Sequence, residues 1–409
     1  MNKIKTILIL GAGIEQAAAI KIARDIGLRV IAVDGNPNAI GLRLSDVGIV
    51  ADIKDSEKMI EIGKKYNING VFTHAVEIPQ VVAKVAKVLG LPGLDPQAAE
   101  RATNKLKRIQ CLKEYGINVP KFEYARDLAE AKRKVKKIGF PCVVKPIDNA
   151  GARGVKKISH VVELESSFEE VLSYAKQERK VLIEEFLDGK QISTESVIYN
   201  GRIITTGFAD RNYSRLKEFE PYFVEDGHSV PSTISKEEKS KVAEVVELAI
   251  KSLGINWGVA KGDILIKDGK VYIIEMAART SGGWFCSGTV PIATGINILK
   301  PLIKMSVNLP INEECFHPKF EKAACQRYII PTKDGIFKGI HGVNKAAQMP
   351  GVRMLGLFNL PKIGQKIRKA TNHSERIGHL IAEGDTLEQA VRRCENAVKL
   401  ISIEVEDER

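Results

Sequence analysis

From Gly262 to Glu275 the chain reads Gly-Asp-Ile-Leu-Ile-Lys-Asp-Gly-Lys-Val-Tyr-Ile-Ile-Glu, followed by Met276-Ala277-Ala278-Arg279. Two apolar, β-branched runs joined through Lys267-Asp268-Gly269 can form little other than an antiparallel hairpin. A three-residue loop with Gly269 in the left-handed region pairs Asp263 with Ile273 and sets Glu275 diagonally across from Asp263 on the same face. Diagonal neighbours stand roughly 7–8 Å apart at the backbone, so the two carboxylates can converge on a hard divalent cation such as Mg²⁺. The hairpin alone also permits two acids that merely face water.

At 409 residues the chain exceeds one ordinary core and should divide into about two to four domains. Its 44% apolar and 27% charged content is that of a soluble globular protein. No apolar run approaches the roughly 20 residues of a membrane span. Met1-Asn2-Lys3-Ile4-Lys5 places charge before an apolar run, but Ile7–Leu10 is too short for a signal-peptide core, so a cytoplasmic protein with no membrane partner is expected. The six cysteines, Cys111, Cys142, Cys286, Cys315, Cys325 and Cys394, form no CxxC pair and no zinc-type spacing, which points to buried free thiols. The net charge of +12 admits nucleic acid, yet lysines and arginines interleave with acids, as in Glu237–Lys251. Without a basic tract carrying aromatics, no nucleic-acid partner is expected, and attraction of small anions is a sufficient account.

Residues 4–94 alternate strand patterns (Ile7–Leu10, Val30–Val33, Gly48–Val50, Gly70–Phe72) with helical ones, implying a parallel sheet with helices on both faces. The turn Gly11-Ala12-Gly13-Ile14-Glu15-Gln16 begins like a dinucleotide fingerprint, with Asp34 where a ribose-binding acid sits, but Gln16 replaces the third glycine. A tight turn that binds no cofactor, or part of another substrate, is the alternative. Gly90–Pro96 is a breaker-rich boundary before a helix that carries Lys105, with Thr103 as a candidate cap. Further strand patterns occupy Pro141–Pro146, Val181–Leu187, Gln191–Tyr199, Ala323–Ile330 and Ile377–Ala382, with a last helix at Thr386–Leu400. Lys145 ends one strand, and Asp148-Asn149-Ala150-Gly151-Ala152-Arg153-Gly154-Val155 follows. Glycines that free backbone amides, beside an ammonium, are what a polyphosphate needs. The Walker A order is absent, and a flexible hairpin is the plain alternative.

Read in order, Lys105, Val144-Lys145-Pro146 with the glycine loop, Glu184-Glu185-Phe186-Leu187 with Gly189 and Gln191, then Asp263, Glu275 and Arg279, the chain resembles the ATP-grasp superfamily over nearly its whole length. The similarity is greatest to carboxylate–amine ligases with a biotin-carboxylase-like three-part architecture. It implies an α/β and α+β multidomain fold: an N-terminal open α/β (pre-ATP-grasp) domain at 1–94, a helical connector at 95–120, a lid subdomain at 121–188, the ATP-grasp core at 189–318 and a C-terminal α/β or α+β domain at 319–409. The implied cofactors are ATP and Mg²⁺, with Mn²⁺ as an alternative ion. Lys105 and Lys145 are implied at the α- and β-phosphates, and Gly151, Ala152, Arg153 and Gly154 in a lid over the β- and γ-phosphates. Glu184, Glu185, Phe186 and Leu187 would be the adenine hinge, and Gln191 stands where a ribose-binding glutamate is usual. Asp263 and Glu275 would hold the metal, and Arg279, catalytic together with Lys145, would meet the γ-phosphate and the reacting carboxylate. One departure stands out: the usual Glu-x-Asn-x-Arg is here Glu275-Met276-Ala277-Ala278-Arg279. That form looks like the bacterial amino-acid (dipeptide) ligase branch, and formate-dependent glycinamide ribonucleotide transformylase also lacks the asparagine. A second metal would then be bridged mainly by Glu275 and nucleotide oxygens.

The implied reaction is ADP-forming ligation. A small carboxylate, with an amino acid favoured, attacks the γ-phosphoryl group while Mg²⁺, Lys145 and Arg279 offset the accumulated charge. An amine then attacks the acyl phosphate to form an amide. The alternative is a purine-pathway or carboxylase-type enzyme using formate or bicarbonate; an oxidoreductase built on the first domain is disfavoured by Gln16 and the C-terminal half. Ser281-Gly282-Gly283-Trp284 could bring backbone and a ring to a substrate, or form a turn with a core aromatic. His228, read as a loop residue, resembles an acceptor-site motif, and His74 and Glu77 follow the fourth strand, where α/β sheets bind ligands. Each of these also reads as purely structural. Partners are small molecules, and a homodimer is compatible with the sequence.

Overall fold

A computed structural model describes residues 4–407; Met1 to Lys3 of the charged opening segment, and the last two residues, lie outside that range. Strands β1 (Thr6–Leu10), β2 (Arg29–Asp34), β3 (Val47–Val50) and β4 (Gly70–Thr73) form a parallel sheet in the order β3-β2-β1-β4. From Ile7 to Leu10 β1 is apolar, because both faces of a central parallel strand are covered. Ile7 and Ile9 share a core with the helices Ala17–Asp25 and Leu299–Ser306, while Leu8 and Leu10 pack with Ser56–Tyr66 and Pro79–Leu89. The expected parallel sheet is therefore present, but one of its helical covers arrives from near residue 300. Asp34, considered as a ribose ligand, is occupied locally: its carboxylate accepts the N–H groups of Ala12 at 2.7 Å and Asn36 at 2.8 Å.

The helix carrying Lys105 spans Lys105–Glu114, and Asn104, not Thr103, caps it by accepting from Leu106 and Lys107 N–H at 3.0 and 3.1 Å. Thr103 ends the preceding helix and turns its hydroxyl back to the Ala99 carbonyl. Asn104 is the residue with the extended backbone that a cap requires.

Strands β5 (Phe122–Ala125), β6 (Cys142–Pro146), β7 (Lys156–Ile158) and β8 (Val181–Glu185) make an antiparallel sheet, ordered β5-β8-β6-β7 and backed by the helices Leu128–Ile138 and Val161–Ser173. The glycine loop joins β6 to β7. The remaining strands are β9 (Lys190–Tyr199), β10 (Arg202–Asn212), β11 (Gly227–Val230), β12 (Gly258–Lys267), β13 (Lys270–Ala277), β14 (Ala323–Ile329), β15 (Gly335–His341), β16 (Val352–Leu357), β17 (Lys366–Ile367), β18 (Gly378–Gly384) and β19 (Ser402–Glu406). Eight of them form one antiparallel sheet, β13-β12-β9-β10-β11-β14-β18-β16, and three a small one, β17-β15-β19. The β11–β14 pairing carries the large sheet without a break from the hairpin into the C-terminal strands. No helix among the described residues is long and apolar enough to cross a membrane.

The β12–β13 hairpin departs from the expected register. Lys267 pairs with Lys270, so the loop is Asp268-Gly269 alone, with φ of 49° and 71°, the mirror-image turn whose twist matches that of the strands. Continued in register, Asp263 would face Ile274, but a bulge between Asp263 and Ile264 moves its partner to Glu275. The two acids therefore oppose each other directly, a placement that brings Cβ atoms to about 4.5–5.5 Å.

Docking of the parallel sheet on the later helix is tight at Gly70, where a methyl group would overlap the Ser306 carbonyl. Gly70→Ala should cost about 1–3 kcal/mol by overpacking, read as a lower urea midpoint at an unchanged m-value. An unaltered midpoint would count against this packing.

Candidate active site

The sheets surround a cavity of about 720 Å³. Its lining includes Lys105, Lys145, Gly151, Ala152, Arg153, Glu184, Glu185, Phe186, Leu187 and Gln191, the acids Asp263 and Glu275, and Arg279. Glu77, His228, Ser281, Gly282, Gly283 and Trp284 line it as well. Gly154 stands off the cavity, its left-handed φ of 71° turning the loop beneath the Tyr174 ring. His74 is fully buried behind the lining, with Nδ1 at 2.9 Å from Thr280 Oγ1. Burial pushes its pKa down to about 3, so the ring is neutral at pH 7.

The glycine loop is fixed at both ends. Asp148 accepts the backbone N–H groups of Lys176, Gln177 and Glu178 at 2.9, 2.5 and 3.1 Å, and the buried Asn149 accepts from Arg153 Nε at 3.0 Å. The Gly151 carbonyl accepts the His373 N–H at 3.0 Å, seating the loop against the C-terminal part of the chain. Lys145 forms a buried ion pair with Glu184 at 2.6 Å, diagonally across β6 and β8. The Lys105 ammonium donates to the Asn149 carbonyl. Burial lowers its pKa to about 8, with Arg108 and Lys145 adding to the effect and Glu275 opposing it, so it remains charged at neutral pH. In the hinge, the N–H groups of Glu185 and Phe186 are committed to the carbonyls of Lys121 and Pro141, at 2.9 and 3.2 Å.

Cations crowd the acid pair. Arg211 Nη1 and Lys261 Nζ lie 2.9 and 2.5 Å from Asp263 Oδ2, and the Ser193 hydroxyl is 3.4 Å from Oδ1. Burial would raise Glu275, but Lys261, Arg108, Lys105 and Arg279 outweigh it and hold the carboxyl well below its ordinary range. Lys261 sits directly across the hairpin from Ala277, the position at which the resemblance drawn from the sequence implies an asparagine. Among the described residues no cluster of three or more His, Cys, Asp or Glu side chains could hold a metal. Two carboxylates beside a cationic pocket nevertheless suit Mg²⁺, which binds through one or two carboxylates and leaves its other positions to water and phosphate.

Beyond the acid pair, Arg279 is held by Glu77 at 2.5 Å and by the Thr280 carbonyl at 3.0 Å. Ser281 N–H donates to the buried Glu195 at 2.7 Å, and burial pushes that carboxyl up to about 7. Gly283 and Trp284 both take the left-handed conformation, at φ of 66° and 60°. Trp284 stacks on His379 at 3.8 Å and tilts toward Phe358 at 5.0 Å. His228 lies on β11 and not in a loop; Nε2 is 2.8 Å from Thr289 Oγ1, and burial lowers its pKa to about 4, leaving it neutral at pH 7.

Several lining residues escape a reading of the sequence: Glu15, Arg211, Glu225, Lys261 and Arg376. Glu225 is bound by Arg211 at 3.0 Å and Arg376 at 3.7 Å, and the Arg376 guanidinium lies 3.6 Å over the Tyr328 ring. Burial alone would raise Glu225, but the two guanidinium groups hold its carboxyl far below the ordinary range. Lys261 was within reach, since strand alternation places it on the face of Asp263, and Glu15 stands at the ligand-binding end of a parallel sheet. Arg211 and Glu225 acquire meaning only through pairing of β10 with β11.

Arg211→Met should cost roughly 3–5 kcal/mol at neutral pH by stranding buried carboxylates, measured by urea unfolding. Glu225 favours its ionised form in the folded chain, so its contribution is full above the ordinary value of 4.5 and is lost as the pH falls below it. The gap between wild type and variant should accordingly narrow on acidification; a constant gap would mean that Glu225 is not held by Arg211.

A model described as an ATP-grasp domain matches residues 102–283, and one described as the L-amino acid ligase C-terminal domain 2 matches residues 327–406. The chain is 28% identical over 344 residues to the uncharacterized protein y4rH of Sinorhizobium fredii, covering 83% of this chain and 69% of that one. It is 24% identical over 412 residues to the formate-dependent phosphoribosylglycinamide formyltransferase of Sulfurisphaera tokodaii, covering 98% and 97%. The fold is similar to the crystal structure of an L-amino acid ligase from Bacillus licheniformis, with a TM-score of 0.84 over 100% of both chains at 22% identity.

Proposed function

We propose that this chain, which belongs to the ATP-grasp superfamily of carboxylate–amine ligases, activates an amino acid as an acyl phosphate and joins it to an amine. ATP and Mg²⁺ are the cofactors of these ligases. On this reading Asp263 and Glu275 would hold the ion, which offsets phosphate charge when bound. Lys105, Lys145 and the loop from Gly151 to Gly154 take the polyphosphate, with Glu184 to Leu187 and Gln191 around the nucleoside. Arg279, steered by Glu77, faces the γ-phosphoryl group and the attacking carboxylate, and later the tetrahedral oxyanion.

The observation that carries the choice of an amino acid is the wall beyond Arg279. Trp284, Phe285, Tyr328 and Phe358 line it, and its guanidinium groups, Arg211 and Arg376, are already engaged by Asp263 and Glu225. A phosphate-bearing substrate calls for uncommitted cations, whereas aromatic walls suit an apolar side chain. Full-length similarity to a formate-dependent enzyme favours formate as the competing acid.

Phosphate release, followed with ¹⁸O-labelled amino acids, formate and bicarbonate in the presence of an amine, separates these acids. Label should pass from an amino acid into phosphate, and Arg279→Ala should lower kcat by about 10²–10³-fold. Transfer from no acid would sink the acyl-phosphate route; transfer from formate alone would replace the amino acid.

A further inference from the structure

In the half of the cavity beyond the acid pair, Glu77 is paired with Arg279, and Glu225 with Arg211 and Arg376. Among the described residues there, Glu15 is the acid without a cation at ion-pair distance. It follows Gly13 at the carboxyl end of β1 and lines the cavity. Its Oε1 accepts the Trp284 N–H at 2.8 Å. Its Oε2 stands beside Gly282, where even a Cβ atom would remain 3.7 Å away, so the glycine leaves room next to this oxygen. The charged and titratable groups facing it are Arg279, Arg376, Tyr328 and Cys286. Other bases near the cavity are engaged or enclosed: His228 Nε2 meets Thr289, His373 Nε2 accepts the Glu225 N–H at 3.3 Å, Glu195 lies behind Ser281 and accepts its N–H, and His74 lies behind the lining.

We propose that Glu15 forms the acceptor-amine subsite, receiving the ammonium group of the second substrate and taking a proton from it; this rests on the ligase reading above. The ammonium gives one proton to the Glu15 carboxylate. The freed lone pair forms the C–N bond at the acyl-phosphate carbonyl, the C–O bond to phosphate breaks, and the second amine proton leaves on phosphate as HPO₄²⁻. Burial pushes the Glu15 carboxyl up to about 7 against the Trp284 and Gly283 N–H groups. The proton-accepting form therefore accumulates as the pH rises through that value, the match a general base at neutral pH requires.

The test uses the full-length enzyme with ATP, Mg²⁺, the activated acid, and either an amino acid or hydroxylamine as acceptor. Hydroxylamine is uncharged at neutral pH and needs no base. Glu15→Gln retains an oxygen for the Trp284 N–H. At pH 7 its ratio of amide to hydroxamate should fall by about 10²–10⁴-fold, and the deficit should narrow at alkaline pH, where the amine is free. In wild type, amide formation should decline on the acid side with a midpoint at about 7, and hydroxamate formation should not follow that decline. An unchanged ratio overturns the proposal. So does equal loss of both products in Glu15→Gln and Glu15→Asp, which would assign Glu15 to holding the Gly283–Trp284 turn. Hydroxamate from formate and from no amino acid would overturn the substrate reading instead, and the Glu15 ratio is then measured with formate.

Discussion

Two carboxylates set directly across a hairpin repel one another unless positive charge stands beside them, and the rest of the site is arranged around that requirement. Lys261 and Arg211 flank Asp263, while Lys261, Arg108, Lys105 and Arg279 keep Glu275 ionised. Arg211 passes the constraint outward to Glu225, and Glu225 to Arg376, which covers Tyr328. A line of alternating charge thus crosses the large sheet from β12 through β10 to the segment before β18. Buried pairs of this kind add little net stability, but breaking one strands a charge. The line therefore fixes how the C-terminal strands meet the hairpin more than it strengthens the fold.

The same economy places the parallel sheet. Its strands end where the large sheet carries the charged face, and Leu299–Ser306 closes one side of β1 as part of a shared core. That docking brings Glu77 against Arg279 and Glu15 under Trp284. The loop from Thr280 to Trp284 is held from three directions, by His74 at Thr280, Glu195 at Ser281 and Glu15 at Trp284. Left-handed Trp284 is costly for a bulky residue, and those bonds, with stacking on His379, offset the cost.

Element positions were legible because apolar runs and breakers are local. The strands at Ile7–Leu10, Val30–Val33 and Gln191–Tyr199 fall within β1, β2 and β9, and the terminal helix follows Thr386 as a cap. Register was not legible. One bulged residue turns a diagonal pair of acids into a direct one, and nothing between Asp263 and Ile264 announces it. Thr103 and Asn104 are both good capping residues, and the end of the preceding helix decides between them. Of the lining residues, those in linear motifs, such as Lys145 and Arg153, could be named in advance. Arg211 and Glu225 could not, because their meaning is a cross-strand contact between segments whose pairing no local pattern specifies.

Ala277 shows how a motif residue can be lost without emptying its place. It is fully buried and faces Lys261 across the hairpin. An asparagine amide there would need partners of its own, and it would contribute only a neutral oxygen. Lys261 contributes a full positive charge to both acids from the opposite strand. The alanine and the lysine therefore make sense as a pair: the side chain missing from β13 leaves a small apolar contact, and the charge balance of the acid pair is supplied from β12.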